Sequence, residues 1–322
     1  MKSLFFTICL LIIAIAVRAQ QNAPNSKYIF NGLYINPAYS GYKQDLFVQS
    51  SYKSQWTGFS GAPTSYSLAA DGLINDSRVG LGLIFSGDNV GAQSNLSAYG
   101  SYAYHIQMDE SENSQLSFGL GVGFVQNGID GTKLNAVNSN DNTIPMNFQS
   151  LLLPDAKAGI MYSNDNIYAG ISMDNMVAHY FKKDNSIFAI VPKPRYYLTG
   201  GGITTLNDDL KLRPSFLFTQ TQDGLKSLDL NMFVLFADRL WIGGTYRTNI
   251  GRTNLNINVP FQNANALAAM VQIVASDSVR LGYSFDYSMS ALGSNSYGSH
   301  EISIGLYFKS KKSNWLSNPR YF

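Results

Sequence analysis

The sequence predicts an all-β protein, a transmembrane outer-membrane β-barrel of about 14 antiparallel strands behind an N-terminal signal peptide. Three observations carry that prediction. Apolar and polar residues alternate with period two from about residue 45 to residue 310. Every second connection between the alternating segments is mostly short and polar, while the intervening set includes long ones. The composition is aromatic and glycine-rich, with 20 Tyr, 19 Phe and 28 Gly in 322 residues, and only 14% of residues are charged.

The chain opens with MKSLFFTICLLIIAIAVRAQQ. Lys2, the apolar run Leu4 to Val17 and the small residues flanking Arg18 form a secretory leader, with cleavage expected after Ala19. Its apolar core is short for a membrane-spanning helix. Cys9 lies in that core, so residues 20–322 hold no cysteine for a disulfide, a thiolate metal site or a nucleophile. Loss of Lys2 and Arg18 leaves 21 basic residues against 21 acidic ones, which excludes a nucleic-acid partner held by a general basic field. No later segment reads as a transmembrane helix, so a membrane would have to be crossed by strands.

Residues 20–44 follow, with YIFNGLYINPAYSGY: aromatic, turn-rich and not alternating. They are expected to form a lumenal plug or a periplasmic contact. The barrel is expected over 45–310, with strands near 45–57, 63–73, 78–86, 94–107, 114–127, 154–163, 166–175, 195–206, 209–220, 225–237, 239–249, 264–275, 277–288 and 300–310. SVRLGYSFDYS shows the pattern well: Val279, Leu281, Tyr283, Phe285 and Tyr287 share one face against Arg280, Gly282, Ser284 and Asp286. Short polar turns at 75–77, 164–166, 207–209, 237–238 and 276–278 alternate with long connections at 128–153, 176–194, 250–263 and 289–299. That asymmetry puts the short side, and with an even strand count both termini, in the periplasm. Outward Tyr104, Tyr162, Tyr246, Phe236 and Phe308 would form interfacial girdles against outer-membrane lipids. Residues 311–322 remain as a basic-aromatic periplasmic tail.

By strand phase Gly80, Gly82, Gly119, Gly121, Gly123, Gly159 and Gly170 point inward. A smooth wall lets another backbone approach, which would seat residues 20–44; strand curvature with Tyr99 covering its neighbours explains it equally well. The inward charges are mixed in sign: Lys53, Asp71, Lys157, Asp174, Lys211, Arg213, Asp229, Arg247, Arg280, Asp286 and Glu301. Interspersed signs predict a lumenal charge network of cross-lumen pairs rather than a one-sign selective constriction. Its core is expected at Lys53, Asp71, Arg213, Asp229, Arg247, Arg280, Asp286 and Glu301.

His300 and Glu301, in GSHEISIGLYF, are the one pair that suggests chemistry. Catalysis needs a nucleophile, a base and an orienting group together. His105 and His179 repeat no metal-ligand spacing with His300. GLGLIFSG and GLGVGF read as strands, not nucleotide loops. NAVNSNDNTIP (135–145) lacks the acidic spacing of a calcium loop. No catalytic residue, metal or cofactor is expected, and the chain is not expected to be an enzyme. The tail residues Trp315, Arg320, Tyr321 and Phe322, with His300 at the opposite rim, are the candidate partner contacts.

LYINPAYSG (33–41), SQWTGFSGAPTSYSLAADG (54–72), VGLGLIFSGDNVGAQSNLSAYGSYAYHI (79–106), LPDAKAGIMYSNDNIYAGISMDNM (153–176), KLRPSFLF (211–218) and LGYSFDYSMSALGSNSYGSHEISIGLYF (281–308) together resemble the PorP/SprF family. Its members are outer-membrane components of the type IX secretion system of Bacteroidota. The resemblance implies a barrel needed for secretion or surface anchoring of particular cargo, adhesin or gliding-motility proteins carrying a type IX C-terminal signal. It also implies partners among the periplasmic or lipoprotein components of the machinery. The second expectation is a FadL-like or porin-like transporter of small substrates, since a FadL-like barrel also has fourteen strands, a lumenal plug and an early Asn-Pro-Ala.

Overall fold

The structure is a computed structural model that describes residues 26–74, 78–109, 114–134, 145–181, 192–250, 266–289 and 296–308. The expected leader (1–19), residues 135–144 and the tail 311–322 lie outside them, as do Trp315, Arg320, Tyr321 and Phe322.

The strands are β1 (Leu46–Ser54), β2 (Thr64–Leu73), β3 (Val79–Val90), β4 (Gln93–Gln107) and β5 (Gln115–Asp130). Next come β6 (Phe148–Ser163), β7 (Ile167–Asp174), β8 (Arg195–Gly202), β9 (Thr204–Asn207) and β10 (Leu210–Thr221). The last are β11 (Lys226–Phe236), β12 (Leu240–Ile250), β13 (Ala266–Ser276), β14 (Val279–Ser288) and β15 (Ser299–Phe308). Each pairs antiparallel with its neighbour in sequence, except that β8 and β9 both pair with β10, and β15 returns to β1 in the register Phe47↔Tyr307 to Ser54↔His300. The sheet therefore has no open side, the condition a strand structure must meet in lipid.

Fourteen barrel strands result, because β8 and β9 are one strand interrupted at Ile203. β10 carries one register across the break, Ser215↔Gly201 and Leu212↔Thr204, and shifts only beyond Lys211. That register puts Pro214 opposite Gly202, beside the break, and Pro has no N–H to give the ladder.

The pleat divides each strand between two environments. On β1 the inward set is Phe47, Gln49, Ser51 and Lys53, all buried, while Leu46 and Tyr52 face out at about half exposure. Leu81, Leu83 and Phe85 on β3, Leu120, Val122 and Phe124 on β5, and Ile302, Ile304 and Phe308 on β15 continue the exposed apolar belt. The inside is polar and buried, and the outside is apolar and exposed, the inverse of a water-soluble sandwich. Tyr104, Tyr246, Phe236 and Phe308 all lie on the exposed side.

One connection differs from the sequence reading. Residues 128–153, expected as a loop, supply the ends of β5 and β6, paired as far as Asp130↔Phe148. β3 likewise runs on to Val90 and meets β4 through the tight Gly91–Ala92 turn, where Gly91 has φ +57°. These extensions leave the lipid, so alternation fades there. Pairing is held by local contacts instead: Phe148 packs where Gly128 has no side chain, and Gln126 Nε2 donates to Ser150 Oγ at 2.8 Å.

Gly119 faces the interior, where a Cβ would overlap the backbone at Pro37–Ala38, whereas one at Gly100 would meet nothing closer than Leu83 at 3.8 Å. Gly119→Val is therefore expected to lower the temperature of the heat-dependent gel shift by an overpacking cost of about 1–3 kcal/mol. Gly100→Ala should leave it nearly unchanged.

Candidate functional site: the filled lumen

The segment from Ser26 to Asp45 lies inside the barrel. It folds as three short 3-10 turns, Ser26–Ile29, Gly32–Tyr34 and Pro37–Tyr39. The repeated Asn is the local reason. Asn31 Oδ1 accepts from Leu33 N at 3.0 Å and Asn36 Oδ1 from Ala38 N at 2.9 Å, so each Asn starts a turn with its own side chain. Pro37 adds a preset φ at the first position of the third turn.

Tyr28, Ile29, Leu33, Ile35, Ala38, Tyr39 and Tyr42 form one buried cluster with wall residues such as Ala69, Ile84, Met161, Leu217, Phe233 and Trp241. This cluster is the hydrophobic core, and it sits within the barrel. The wall accommodates it where side chains are missing. A Cβ at Gly80 would fall on Ser40 O, and one at Gly159 on Asn36 Oδ1. At Gly82 it would be 2.7 Å from Ser40 Oγ, and at Gly170 it would be 3.0 Å from Asn36 Nδ2. Gly41 takes φ +77° to bring its own backbone against Gly80. Gly123 has another reason, since Tyr99 covers it, and Gly121 lies beside Ser101 and Lys157.

Hydrogen bonds tie the segment to strands around the barrel. Tyr28 Oη donates to Asp229 at 3.1 Å, and Arg213 donates to Ile29 O at 2.7 Å. Tyr34 Oη bonds Ser67 Oγ at 2.9 Å, and Ser172 Oγ donates to Ile35 O at 2.6 Å. Gly41 N donates to Asp71 Oδ2 at 3.0 Å. His105 Nε2 lies 2.9 Å from Ser40 O, and because a carbonyl only accepts, that nitrogen carries the proton.

The inward charges separate into groups. Lys53 pairs with Asp286 and stands 4.0 Å from Glu301. Arg247 grips Asp229 through Nε at 2.9 Å and Nη2 at 2.8 Å, the bidentate fork that a buried carboxylate rewards. Asp71 and Arg213 bond the segment's backbone, and the Arg280 guanidinium lies 4.6 Å from the Tyr307 ring centre. Lys211 pairs with Asp238 at a turn. Among the described residues the inward charges thus form cross-strand pairs and tethers to the segment.

Lys43, within the segment, donates to Phe30 O at 2.9 Å and lies over the Phe47 ring at 3.7 Å. Burial holds its ammonium well below the ordinary lysine range, with Arg280 and Arg213 acting in the same direction and Asp71 opposing them.

A second element enters from the loop side. After β7 the chain turns inward at Asn175, φ +53°, into the 3-10 turn Ala178–Phe181. Asp155 Oδ1 accepts from Val177 N at 3.0 Å and Ala178 N at 3.1 Å, while Tyr99 Oη donates to Asp155 Oδ2. Ala178 is wholly buried against Tyr99, Val125 and Leu153.

His300 and Glu301 fall on opposite faces of β15. Glu301 is buried inside near Lys53. His300 lies on the outer face, its Nδ1 2.8 Å from Tyr283 Oη and its ring 5.2 Å from that of Phe285. Imidazole and carboxylate therefore cannot act on one substrate. Sequence reasoning missed His105, Asp155 and Lys43 as organising residues. Their partners are backbone groups and rings that only the fold brings near.

Fold and interior together define a membrane β-barrel of the outer-membrane channel type whose lumen is filled by the chain's own N-terminal segment. The chain belongs to the family described as type IX secretion system membrane protein PorP/SprF, which it matches over residues 17–306. It is therefore a membrane component of that secretion system. No curated protein matches the sequence. Among solved structures it resembles the Ralstonia pickettii toluene transporter TbuX, with TM-score 0.57 and 9% identity over 88% of this chain and 94% of that one. The CymD monoaromatic hydrocarbon channel gives TM-score 0.55 and 12% identity over 91% and 95%. A Pseudomonas aeruginosa FadL homologue gives TM-score 0.50 and 10% identity over 88% and 94%. At such identities the likeness is one of fold.

Asp229 holds both Arg247 and Tyr28, so Asp229→Ala leaves a buried guanidinium without its carboxylate. Loss of about 3–5 kcal/mol is expected. Thermal unfolding of the purified barrel should show it, together with faster protease cleavage within residues 26–45.

Proposed function

We propose that the chain is an outer-membrane accessory of type IX secretion that works by binding. In this reading it is needed for secretion or surface anchoring of specific cargo, of the adhesin or gliding type, carrying a type IX C-terminal signal. The observation that carries it is the filled lumen. Residues 26–45 occupy the interior through a buried apolar cluster and hydrogen bonds to β2, β4, β7, β10 and β11, so the surfaces left for work are the two ends. The loop side would meet cargo outside the cell, with His300 at its rim. The short-turn side, both termini and the tail residues Trp315, Arg320, Tyr321 and Phe322 would face the periplasm and the machinery's periplasmic or lipoprotein components. Residues 1–19 would be the cleaved signal peptide.

The alternative is a FadL-like or porin-like transporter of small substrates. Its support is the likeness in fold to the CymD monoaromatic hydrocarbon channel and the toluene transporter TbuX. Against it stands the lumen, whose inner face is polar apart from the cluster that the N-terminal segment itself covers.

Planar-bilayer recordings are expected to show a closed wild-type barrel and open-channel currents once residues 26–40 are deleted. An open wild-type pore, or substrate-selective uptake into liposomes, overturns the binding reading. A deletion strain is expected to lose a subset of type IX cargo from its surface, and unchanged surface cargo would equally refute it.

A further inference from the structure

β6 is twice the length of the strand beside it, sixteen residues against eight for β7. Their ladder covers Ala158↔Met173 to Ser163↔Tyr168 and stops there. One more bond, from Met176 N to Ala156 O at 3.2 Å, closes that side before the chain turns inward at the Ala178–Phe181 turn. From Phe148 to Asp155, β6 is paired with β5 alone among the described residues.

Which groups lie open follows from strand geometry, since N–H and C=O of successive residues point to opposite sides. Ala156 O points away from β5, because it accepts from Met176. Asn147 O points toward β5, because Gly131 N donates to it at 3.4 Å. Even-numbered residues therefore face the open side: Phe148, Ser150 and Leu152 with both groups, Pro154 with its carbonyl alone. Pro154 has no N–H to lose, so it sits in the strand without harm to the β5 ladder and marks the inner end of the open row.

This edge starts at the rim of the apolar layer, at Leu152, and runs outward from it to Phe148. About ten tilted residues cross the layer, which from Tyr162 reaches only to Leu152. Beyond it, an open edge is normally blunted by charge. Met146 to Leu153 carry none. Met146, Phe148 and Leu152 are instead exposed at 80%, 53% and 61%.

We propose that the outer edge of β6, residues 148–154, receives an extended segment of a secreted protein as an added strand. Only an extended backbone presents donors and acceptors at the spacing of Phe148, Ser150 and Leu152. The incoming segment spans about five residues and is uncharged, with apolar side chains at alternate positions against Phe148 and Leu152. The inference deepens the binding function above and rests on it for the identity of the partner.

The test uses the purified full-length barrel and, as probe, the purified C-terminal domain of a type IX cargo protein from the same bacterium. Hydrogen exchange of the free barrel is expected to be fast at the amides of Phe148, Ser150 and Leu152 and slow at Gln149, Leu151 and Leu153. The probe should slow the first set. Ser150→Pro removes an open-side N–H together with the hydroxyl that accepts from Gln126, so Ser150→Ala, which loses the hydroxyl alone, is the control. Ser150→Pro should bind at least tenfold more weakly than Ser150→Ala while leaving the heat-dependent gel shift in place. Binding that is indifferent to Ser150→Pro, or that leaves the three amides fast, overturns strand addition and spares the cargo function. Absence of binding by the wild type overturns both. Amides already slow in the free barrel overturn the proposal too, and if dilution frees them the occupant is a second copy of this chain. Should Ser150→Pro fail to fold, the exchange of the wild-type amides decides alone.

Discussion

The contact between the Ser26–Asp45 segment and the barrel wall is the constraint on which the other features depend. Fourteen strands enclose more space than their own inward side chains fill, and an open interior would leave the wall's apolar residues wet. The segment closes that space by bringing backbone, not only side chains, against the wall, which requires glycine at Gly80, Gly119 and Gly159. Its Asn-initiated turns keep the backbone compact enough to fit, and its aromatic side chains then find Ala69, Leu217, Phe233 and Trp241.

The charges obey the same geometry. A filled lumen withdraws water from the inward ionic groups, and each that remains must be matched locally. Lys53 is met by Asp286 and Glu301, and Asp229 by Arg247 and Tyr28. Asp71 and Arg213 take backbone partners from the segment itself. Charges of both signs thus meet in local pairs, and among the described residues these pairs form no ring of one sign.

Much of this was legible in the sequence, for a physical reason. Lipid on one face and a packed polar interior on the other enforce period two, so strands such as Val279–Ser288 and Ser299–Phe308 could be placed within a residue or two. Gly121 and Gly123 look identical to Gly119 in sequence, yet only Gly119 meets the segment, because strand phase gives direction without height. The outer ends of β5 and β6, residues 128–130 and 148–153, were illegible for the opposite reason. Beyond the apolar layer no lipid requires an apolar outward residue, so Gly128 and Ser150 do not continue the alternation. The reach of His105 to Ser40 and of Asp155 to Ala178 depends on where separate parts of the chain converge, which no local pattern encodes.

The segment also has a mechanical consequence. Residues 33–41 contact β2 to β7, while Tyr28, Ile29 and Phe30 contact β10 and β11 on the far wall. Like a tie-beam across a hoop, twenty residues fasten the first half of the barrel to the second without using a single ladder bond. A pull on one wall is carried directly to the other, and the β1–β15 seam need not bear it alone. A barrel wall pulled from one side would gain most from such bracing.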